Sequence, residues 1–281
     1  MSGLVVSGLG GDASYQARFD ADASVIADAL RTLSAASQDV QLLLGENATK
    51  ASVLRAFREL GEKNTEQFVL ILIGHGTSDG TSFRFNIPGP DLTTDDLIAG
   101  LTEIESKRQA ITIATSSSGE LLEILAQPSR IVVTATKSPG EINAVRFGEY
   151  FAQALDSGEA DIDRNEILTV AEVFRYAATR TAEFYESQKF FASEHSRIEG
   201  VGAADFPLAY LGALRQAQQN PAVAPLLEER LQLEVAFHGL KARKPDMKRA
   251  DYYQQLETLL IAIALVQKKI DLATGWDAAN G

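Results

Sequence analysis

Short, almost wholly apolar runs alternate with longer amphipathic segments along the first half of the chain. The apolar runs cover residues 4–7, 40–44, 68–73, 110–114 and 130–135. Apolar positions at helical spacing lie between these runs, over residues 21–36, 50–61, 94–107 and 119–126. A strand that is buried on both faces of a parallel sheet needs continuous rather than alternating hydrophobicity. The pattern therefore predicts an α/β fold with a mostly parallel sheet and helices on both faces.

The pattern changes in the last third of the chain. Residues 204–218 include an apolar run that predicts a last strand or a docking segment. Two long helical patterns fill residues 224–272 and are separated by Pro245, which predicts a C-terminal helical hairpin. We therefore expect an α/β domain over residues 1–203 and a helical extension over residues 204–281.

Small-residue loops follow four of the predicted strands. These loops are Gly8–Gly11, Gly74–Gly76, Thr115–Gly119 and Thr136–Gly140. Ligands of open parallel sheets bind outside the carboxyl ends of the strands. We therefore expect the four loops to meet at one edge of the sheet and to hold the functional site.

Two of these loops carry the residues that are most informative about chemistry. One contains Gly74-His75-Gly76 and the other Ser116-Ser117-Ser118-Gly119, each directly after a predicted strand. In this order and context the chain resembles the caspase-like peptidase superfamily, and is most similar to bacterial legumain-like proteins of the peptidase C13 type. Further stretches that agree with such proteins are Gly45–Thr49, Thr134–Glu141, Arg146–Phe151 and Ala160–Glu172. The resemblance covers roughly residues 3–200.

The resemblance implies a peptidase site with a role for each residue. In that family a cysteine thiolate attacks the peptide carbonyl, a histidine protonates the leaving amine, and backbone N–H groups stabilise the oxyanion. His75 matches the histidine, Gly76 would offer an oxyanion N–H, and Ser116 occupies the place of the cysteine. The implied substrate-binding residues are Ser118 and Glu141, and the carboxylate of Glu141 would face a basic P1 side chain. The alternative for Glu141 is a carboxylate at the start of a helix, where the helix dipole favours it.

Serine at position 116 is where the sequence departs from the family. The chain has no cysteine, and a serine hydroxyl needs a close, oriented general base before it attacks. The favoured prediction is a catalytically impaired pseudo-peptidase that keeps a peptide-binding cleft for a binding or regulatory role. One alternative is an active caspase- or legumain-like cysteine endopeptidase that carries a Cys→Ser substitution at this position. A second alternative is a working serine hydrolase. A third is that both motifs are only tight turns at the ends of strands, where Gly and Ser are common.

An acidic stretch resembles a calcium-binding loop, so a calcium site is the alternative to the prediction that the chain binds no metal. Asp161, Asp163, Asn165 and Glu172 lie at positions 1, 3, 5 and 12 of an EF-hand-like loop. Position six of this loop lacks the glycine that the sharp turn needs. The carboxylate at position 12 also completes a capping box with Thr169. The favoured prediction is a structural acidic turn, with no metal and no cofactor.

The net charge of −12 and the length of the apolar runs limit the expected partners. An acidic surface repels phosphate backbones, so nucleic acid is not expected to bind. No apolar run approaches the roughly 20 residues that cross a bilayer, which predicts a soluble protein. The compartment stays open, and export with removal of a signal peptide is one alternative. We expect a peptide or protein ligand, and self-association through the C-terminal hairpin is the alternative to its packing on its own domain.

Three isolated ring side chains complete the sequence-based picture. His195 and His238 have no metal-ligand partners at useful spacing, which predicts structural or exposed histidines. Trp276, near the end of the chain, is predicted to be a packing anchor.

Overall fold

A computed structural model describes residues 1–33, 37–218, 220 and 222–274. Its strands are β1 (Ser2–Ser7), β2 (Val40–Leu43), β3 (Gln67–Gly74), β4 (Gly76–Ser78), β5 (Phe83–Phe85), β6 (Leu92–Thr93), β7 (Arg108–Thr115), β8 (Arg130–Thr134), β9 (Ile167–Thr169), β10 (Arg197–Glu199) and β11 (Pro207–Tyr210). Its α-helices are α1 (Ala13–Arg31), α2 (Lys50–Gly61), α3 (Thr94–Thr102), α4 (Leu121–Ile124), α5 (Phe147–Ser157), α6 (Val170–Gln188), α7 (Gly212–Ala217), α8 (Ala224–Arg243) and α9 (Arg249–Thr274).

The central sheet has six strands in the order β10-β8-β7-β3-β1-β2. All neighbouring strands run parallel except β10, which pairs antiparallel with β8 at one edge. Gly74 at the end of β3 lies opposite Thr115 at the end of β7. The loops that carry His75 and Ser116 therefore leave the sheet side by side. The predicted mostly parallel α/β sheet is confirmed.

Each face of the sheet has its own hydrophobic core, because successive side chains of a strand point to opposite faces. In β3 the residues Val69, Ile71 and Ile73 belong to a core that includes buried residues of α1, α5 and α6. The alternate residues of β3, among them Leu70 and Leu72, belong to a second core with α2, α3 and α4. Helices thus cover both faces, which explains why the strands are apolar without interruption.

A small antiparallel sheet of β4, β5 and β6 lies beside the carboxyl ends of the central strands. Phe83 and Phe85 of β5 are fully buried in the second core. Gly76 pairs with Phe85, and the backbone N–H of Asn86 donates to the carbonyl of His75 at 3.0 Å. This sheet fixes the backbone on one side of the predicted site.

The C-terminal part of the chain packs back on the α/β domain. β11 pairs antiparallel with β9, and the neighbouring Phe206 and Leu208 are buried in the first core. These residues lie beyond residue 203, yet they pack with the elements that precede it. Further along, α8 and α9 form a hairpin whose Leu227, Val266 and Ile270 share a third core with residues of β9 and β11.

Three of the sequence-based predictions depend on which residues the structure describes. No helix of the described residues is long and apolar enough to cross a membrane. Trp276 lies outside the described residues, as does the side chain of His238. The role predicted for each of these two residues stays a prediction.

Candidate functional site

The His-Gly loop after β3 and the serine loop after β7 are joined directly to each other. The backbone N–H of Gly76 donates to Ser116 Oγ at 3.2 Å, and Ser116 Oγ donates to the carbonyl oxygen of Gly76 at 2.9 Å. A side chain at position 76 would not fit, because a Cβ would lie 2.6 Å from the Ser116 carbonyl oxygen and 2.7 Å from Thr115 Oγ1. The structure therefore brings the predicted site residues His75, Gly76 and Ser116 to one edge of the sheet.

The imidazole of His75 faces α1 rather than the serine. The half-buried ring packs edge-on against Tyr15 and Phe19, with centroid distances of 5.3 and 5.2 Å. Its Nε2 lies 3.2 Å from the carbonyl oxygen of Gly10. A carbonyl oxygen only accepts, so this hydrogen bond assigns the proton to Nε2. Among the described residues, the hydrogen bonds of the His75 ring do not include Ser116.

The hydroxyl of Ser116 is closed off from solvent, with 2% of the residue exposed. It gives its proton to a peptide carbonyl, which is too weak a base to take that proton away. The N–H of Gly76, which the resemblance assigns to the oxyanion, already donates to this hydroxyl. In this arrangement neither the nucleophile position nor the oxyanion donor is free for a substrate.

Ser118 connects the serine loop to the loop after β8. Its Oγ donates to the carbonyl oxygen of Thr115 at 2.9 Å and lies 3.1 Å from Thr136 Oγ1. The N–H of Gly119 donates to the same Thr136 hydroxyl at 3.0 Å. Ser118 is fully buried, and its hydrogen bonds hold two strand-end loops together. Its role in substrate binding stays a prediction.

Glu141 fastens the loop after β8 to the segment that precedes β10. Its carboxylate accepts from the backbone N–H groups of Lys137 and His195 at 2.9 and 3.1 Å and bonds His195 Nδ1 at 2.5 Å. Its own carbonyl oxygen accepts from the N–H of Ser117 at 2.9 Å. The alternative that Glu141 begins a helix is wrong, because α5 begins at Phe147. The carboxylate of Glu141 therefore already accepts hydrogen bonds from several groups of the protein. Its pairing with a basic P1 side chain stays a prediction.

Glu194 is a buried carboxylate near the site that the sequence analysis did not identify. The buried carboxylate accepts from the N–H groups of Arg146 and Phe147, at 2.8 to 3.1 Å, and from the hydroxyl of Tyr185 at 3.0 Å. It therefore caps the start of α5, where a negative charge is favoured. Desolvation by burial raises the pKa of this carboxyl, although its hydrogen bonds oppose the rise. Together with His195, it holds the segment before β10 against the site edge.

The acidic turn before β9 brings three carboxylates together. Single oxygen atoms of Asp161, Asp163 and Glu172 lie within 4.8 Å of one another. Asn165 uses its side-chain oxygen to accept from the N–H of Ile167 at 2.7 Å, so this oxygen is engaged within the turn. Burial, followed by the charge of Asp161, raises the pKa of Asp163 although hydrogen bonding to Asn165 opposes it. These oxygen atoms could hold a calcium ion, and that site stays a prediction.

The predicted capping box at the end of this turn is confirmed. Thr169 Oγ1 accepts from the N–H of Glu172 at 3.3 Å, and Glu172 Oε2 accepts from the N–H of Thr169 at 3.0 Å. One oxygen of Glu172 is thus occupied in starting α6. The glycine that the sequence lacks at position six is replaced by Glu166, whose φ of 64° is left-handed.

Asp22 on α1 provides a test of the electrostatics near the site. Burial, followed by the charge of Glu149, raises the pKa of Asp22 to about 6, although the charge of Arg18 opposes the rise. The folded state therefore binds this proton more tightly than the unfolded chain. The stability that Asp22 contributes is present below its unfolded pKa of 3.8 and is lost as the pH rises through about 6.

We expect Asp22→Asn to raise the melting temperature more at about pH 8 than at about pH 4.5, by a difference of about 2 °C. The reason is that the variant carries no buried carboxylate at the higher pH. Thermal unfolding at both pH values measures the difference, and the exposed Asp156→Asn is the matched control. An equal effect of Asp22→Asn at both pH values would contradict this account of Asp22.

Comparison with known proteins shows a similarity of fold to solved structures. No protein-family model matches the chain, and no curated protein matches it. Protein GSU0716 from Geobacter sulfurreducens has a TM-score of 0.51 and 13% identity, with 75% of this chain and 100% of that chain covered. The Drosophila initiator caspase Dronc has a TM-score of 0.45 and 11% identity, with 71% and 80% of the two chains covered. The first similarity shows a shared fold alone, and the second is too low to carry an argument.

Proposed function

We propose that this chain is a pseudo-peptidase of the caspase and legumain type, which binds a peptide or protein ligand without cleaving it. The observation that carries the proposal is the hydrogen bond that Ser116 Oγ donates to the carbonyl oxygen of Gly76. Nucleophilic attack by a serine requires that its proton pass to a base within hydrogen-bond reach. Nε2 of His75 carries a proton that it donates to the carbonyl oxygen of Gly10, so it cannot act as this base. The hydroxyl of Ser116 is hydrogen-bonded to Gly76 and not to the other ring nitrogen.

The exposed apolar residues beside the site support a peptide or protein as the ligand. Ile142 is 72% exposed and directly follows Glu141. Phe190 and Phe191 are 64% and 100% exposed and precede His195 in the segment that Glu141 fastens. Large exposed apolar groups with a polar surrounding are typical of surfaces that bind other proteins. We infer that these two segments form the binding surface.

The hydrolysis arm of the test compares three forms of the chain on a set of fluorogenic peptides that vary at P1. We expect the chain and Ser116→Ala to release fluorophore at the same background rate, because the hydroxyl has no base. Hydrolysis by the chain that Ser116→Ala abolishes would contradict the proposal. Hydrolysis that appears only in Ser116→Cys would favour the alternative, an active cysteine endopeptidase with serine at its nucleophile position.

The binding arm selects peptides from an immobilised library with the intact chain. We expect binding by the chain and loss of binding in Ile142→Asp, because a charge would be placed in the apolar surface. Ile162→Asp is the matched control, since Ile162 is 60% exposed and lies in the acidic turn before β9. Equal binding by both variants, or no peptide retained by the chain, would overturn the inferred binding surface.

A further inference from the structure

One side of α9 carries large apolar residues that the rest of the described structure leaves in solvent. These residues are Tyr253, Leu260, Ile261, Leu265 and Leu272, which are between 48% and 66% exposed. The other side of the helix packs inward through Tyr252, Val266 and Ile270. Soluble monomers rarely leave a contiguous apolar surface of this kind uncovered.

The exposed residues form one continuous stripe along the helix. Each residue of an α-helix is rotated by about 100° from the one before it. On this spacing the buried side and the exposed side of α9 point in opposite directions. Glu257, Ala264 and Lys268 are also exposed and lie within the same stripe. On the same spacing the exposed Gln254 and the half-exposed Asp271 also lie in the stripe. The stripe therefore has Glu257 in its N-terminal half, Lys268 in its C-terminal half, apolar residues between them, and both polar and apolar residues towards its two ends.

This stripe is complementary to itself in one antiparallel register. If a two-fold axis passes between residues 262 and 263, each residue lies opposite the residue equally far from the axis on the other chain. The facing apolar pairs are then Tyr253 with Leu272, Leu260 with Leu265, and Ile261 with Ala264. All these residues are on the exposed side, so one register covers the whole apolar stripe.

The charges of the stripe fit the same register. Glu257 of one chain lies opposite Lys268 of the other, and the two-fold axis repeats the pair. A parallel pairing would instead place each of these residues opposite its own copy, where like charges repel. The complementarity of both apolar and charged positions therefore favours a second copy of this chain over an unrelated partner.

We propose that α9 pairs antiparallel with α9 of a second copy, about an axis between residues 262 and 263, to form a symmetric dimer. Such an interface is isologous, because the same surface of each copy contributes to it. The apolar pairs supply the burial, and the two Glu257–Lys268 pairs fix the direction and the register. The dimer does not depend on the state of Ser116, so it stands apart from the proposed function.

Analytical ultracentrifugation of the full chain over a dilution series tests the dimer. We expect a species of twice the 30.3 kDa mass of one chain. Leu265→Lys is expected to give a monomer at concentrations where the chain is dimeric, because two buried leucine pairs acquire a charge. Ile162→Lys is the control, and it is expected to leave the dimer intact. A monomeric chain at every concentration, or a dimeric Leu265→Lys, overturns the proposal.

A charge exchange tests the register. Glu257→Lys is expected to weaken the dimer about tenfold, since two attractive pairs become repulsive. The double variant Glu257→Lys with Lys268→Glu is expected to restore the affinity of the chain. Circular dichroism of each variant checks that its helices are intact. Failure of the double variant to restore association would contradict this register.

Discussion

Gly119→Ala is expected to destabilise the protein by about 3 kcal/mol. Gly119 is the last residue of the serine loop, and a Cβ there would overlap the backbone nitrogen of Ser138 and the backbone carbonyl group of Lys137. Backbone atoms cannot change rotamer, so two strand-end loops would have to separate. That separation would also break the hydrogen bond between the N–H of Gly119 and Thr136 Oγ1. Urea unfolding followed by circular dichroism measures the change in the free energy of unfolding.

Gly239→Ala is the matched control, and we expect it to change the free energy of unfolding in the opposite direction. Gly239 is an exposed position inside α8, and a Cβ there would have no heavy atom within 4 Å. Alanine in a helix interior is favoured over glycine by about 0.5–1 kcal/mol. We therefore expect Gly239→Ala to stabilise slightly. Equal effects of the two variants would contradict the close approach of the serine loop and the loop after β8.

Glu194→Ala is expected to cost about 3 kcal/mol, because it leaves buried donors without an acceptor. The two backbone N–H groups at the start of α5 and the Tyr185 hydroxyl would all lose their partner. Glu194→Gln keeps one acceptor oxygen and should lose about half as much. Chemical unfolding of both variants measures these losses.

The control for Glu194 is Glu186→Ala, at an exposed position near the end of α6. We expect a change within about 0.5 kcal/mol, as for most surface substitutions. A similarly small loss in Glu194→Ala would mean that the carboxylate does not cap α5. The segment before β10 would then have to be held against the site edge by other contacts.

The central sheet could be predicted from the sequence because its strands are buried on both faces. The continuous run at residues 68–73 became β3, and its equal burial on two sides is the reason that it shows no alternation. Helix boundaries were less accurate. The helix predicted over residues 21–36 begins at Ala13, because Asp12 accepts from the N–H groups of Ser14 and Tyr15 and so caps an earlier turn. Residues 34–36 lie outside the described residues.

The small sheet beside the site could not be predicted, because its strands are too short to show a period. β5 has three residues and β6 has two. Their position depends on Phe83 and Phe85, which are buried by elements distant in sequence. A local pattern carries no information of that kind.

The site was predicted in part, from motifs whose neighbourhood is set by the parallel strands. The meeting of the His75 and Ser116 loops follows from the pairing of β3 with β7. The direction of the imidazole does not follow from any motif, since it depends on packing against Tyr15 and Phe19 of α1. Glu194 was missed, and the bond between His195 and Glu141 was not predicted, for a related reason: Phe147 and Glu141 lie 47 and 54 residues from their partners.

The burial of position 116, and its proposed lack of an activating base, are tested most directly by the reactivity of Ser116→Cys. The chain has no cysteine, so this variant carries a single thiol whose alkylation by iodoacetamide can be followed against pH. We expect alkylation about tenfold slower than in the exposed control Ser157→Cys, with a rate that rises near pH 8.5 or above, as for an unassisted thiol. Two results together would contradict the proposed inactive site. The first is rapid alkylation of Ser116→Cys with a rate that rises below about pH 7, and the second is a shift of this rise to higher pH in the double variant Ser116→Cys with His75→Ala.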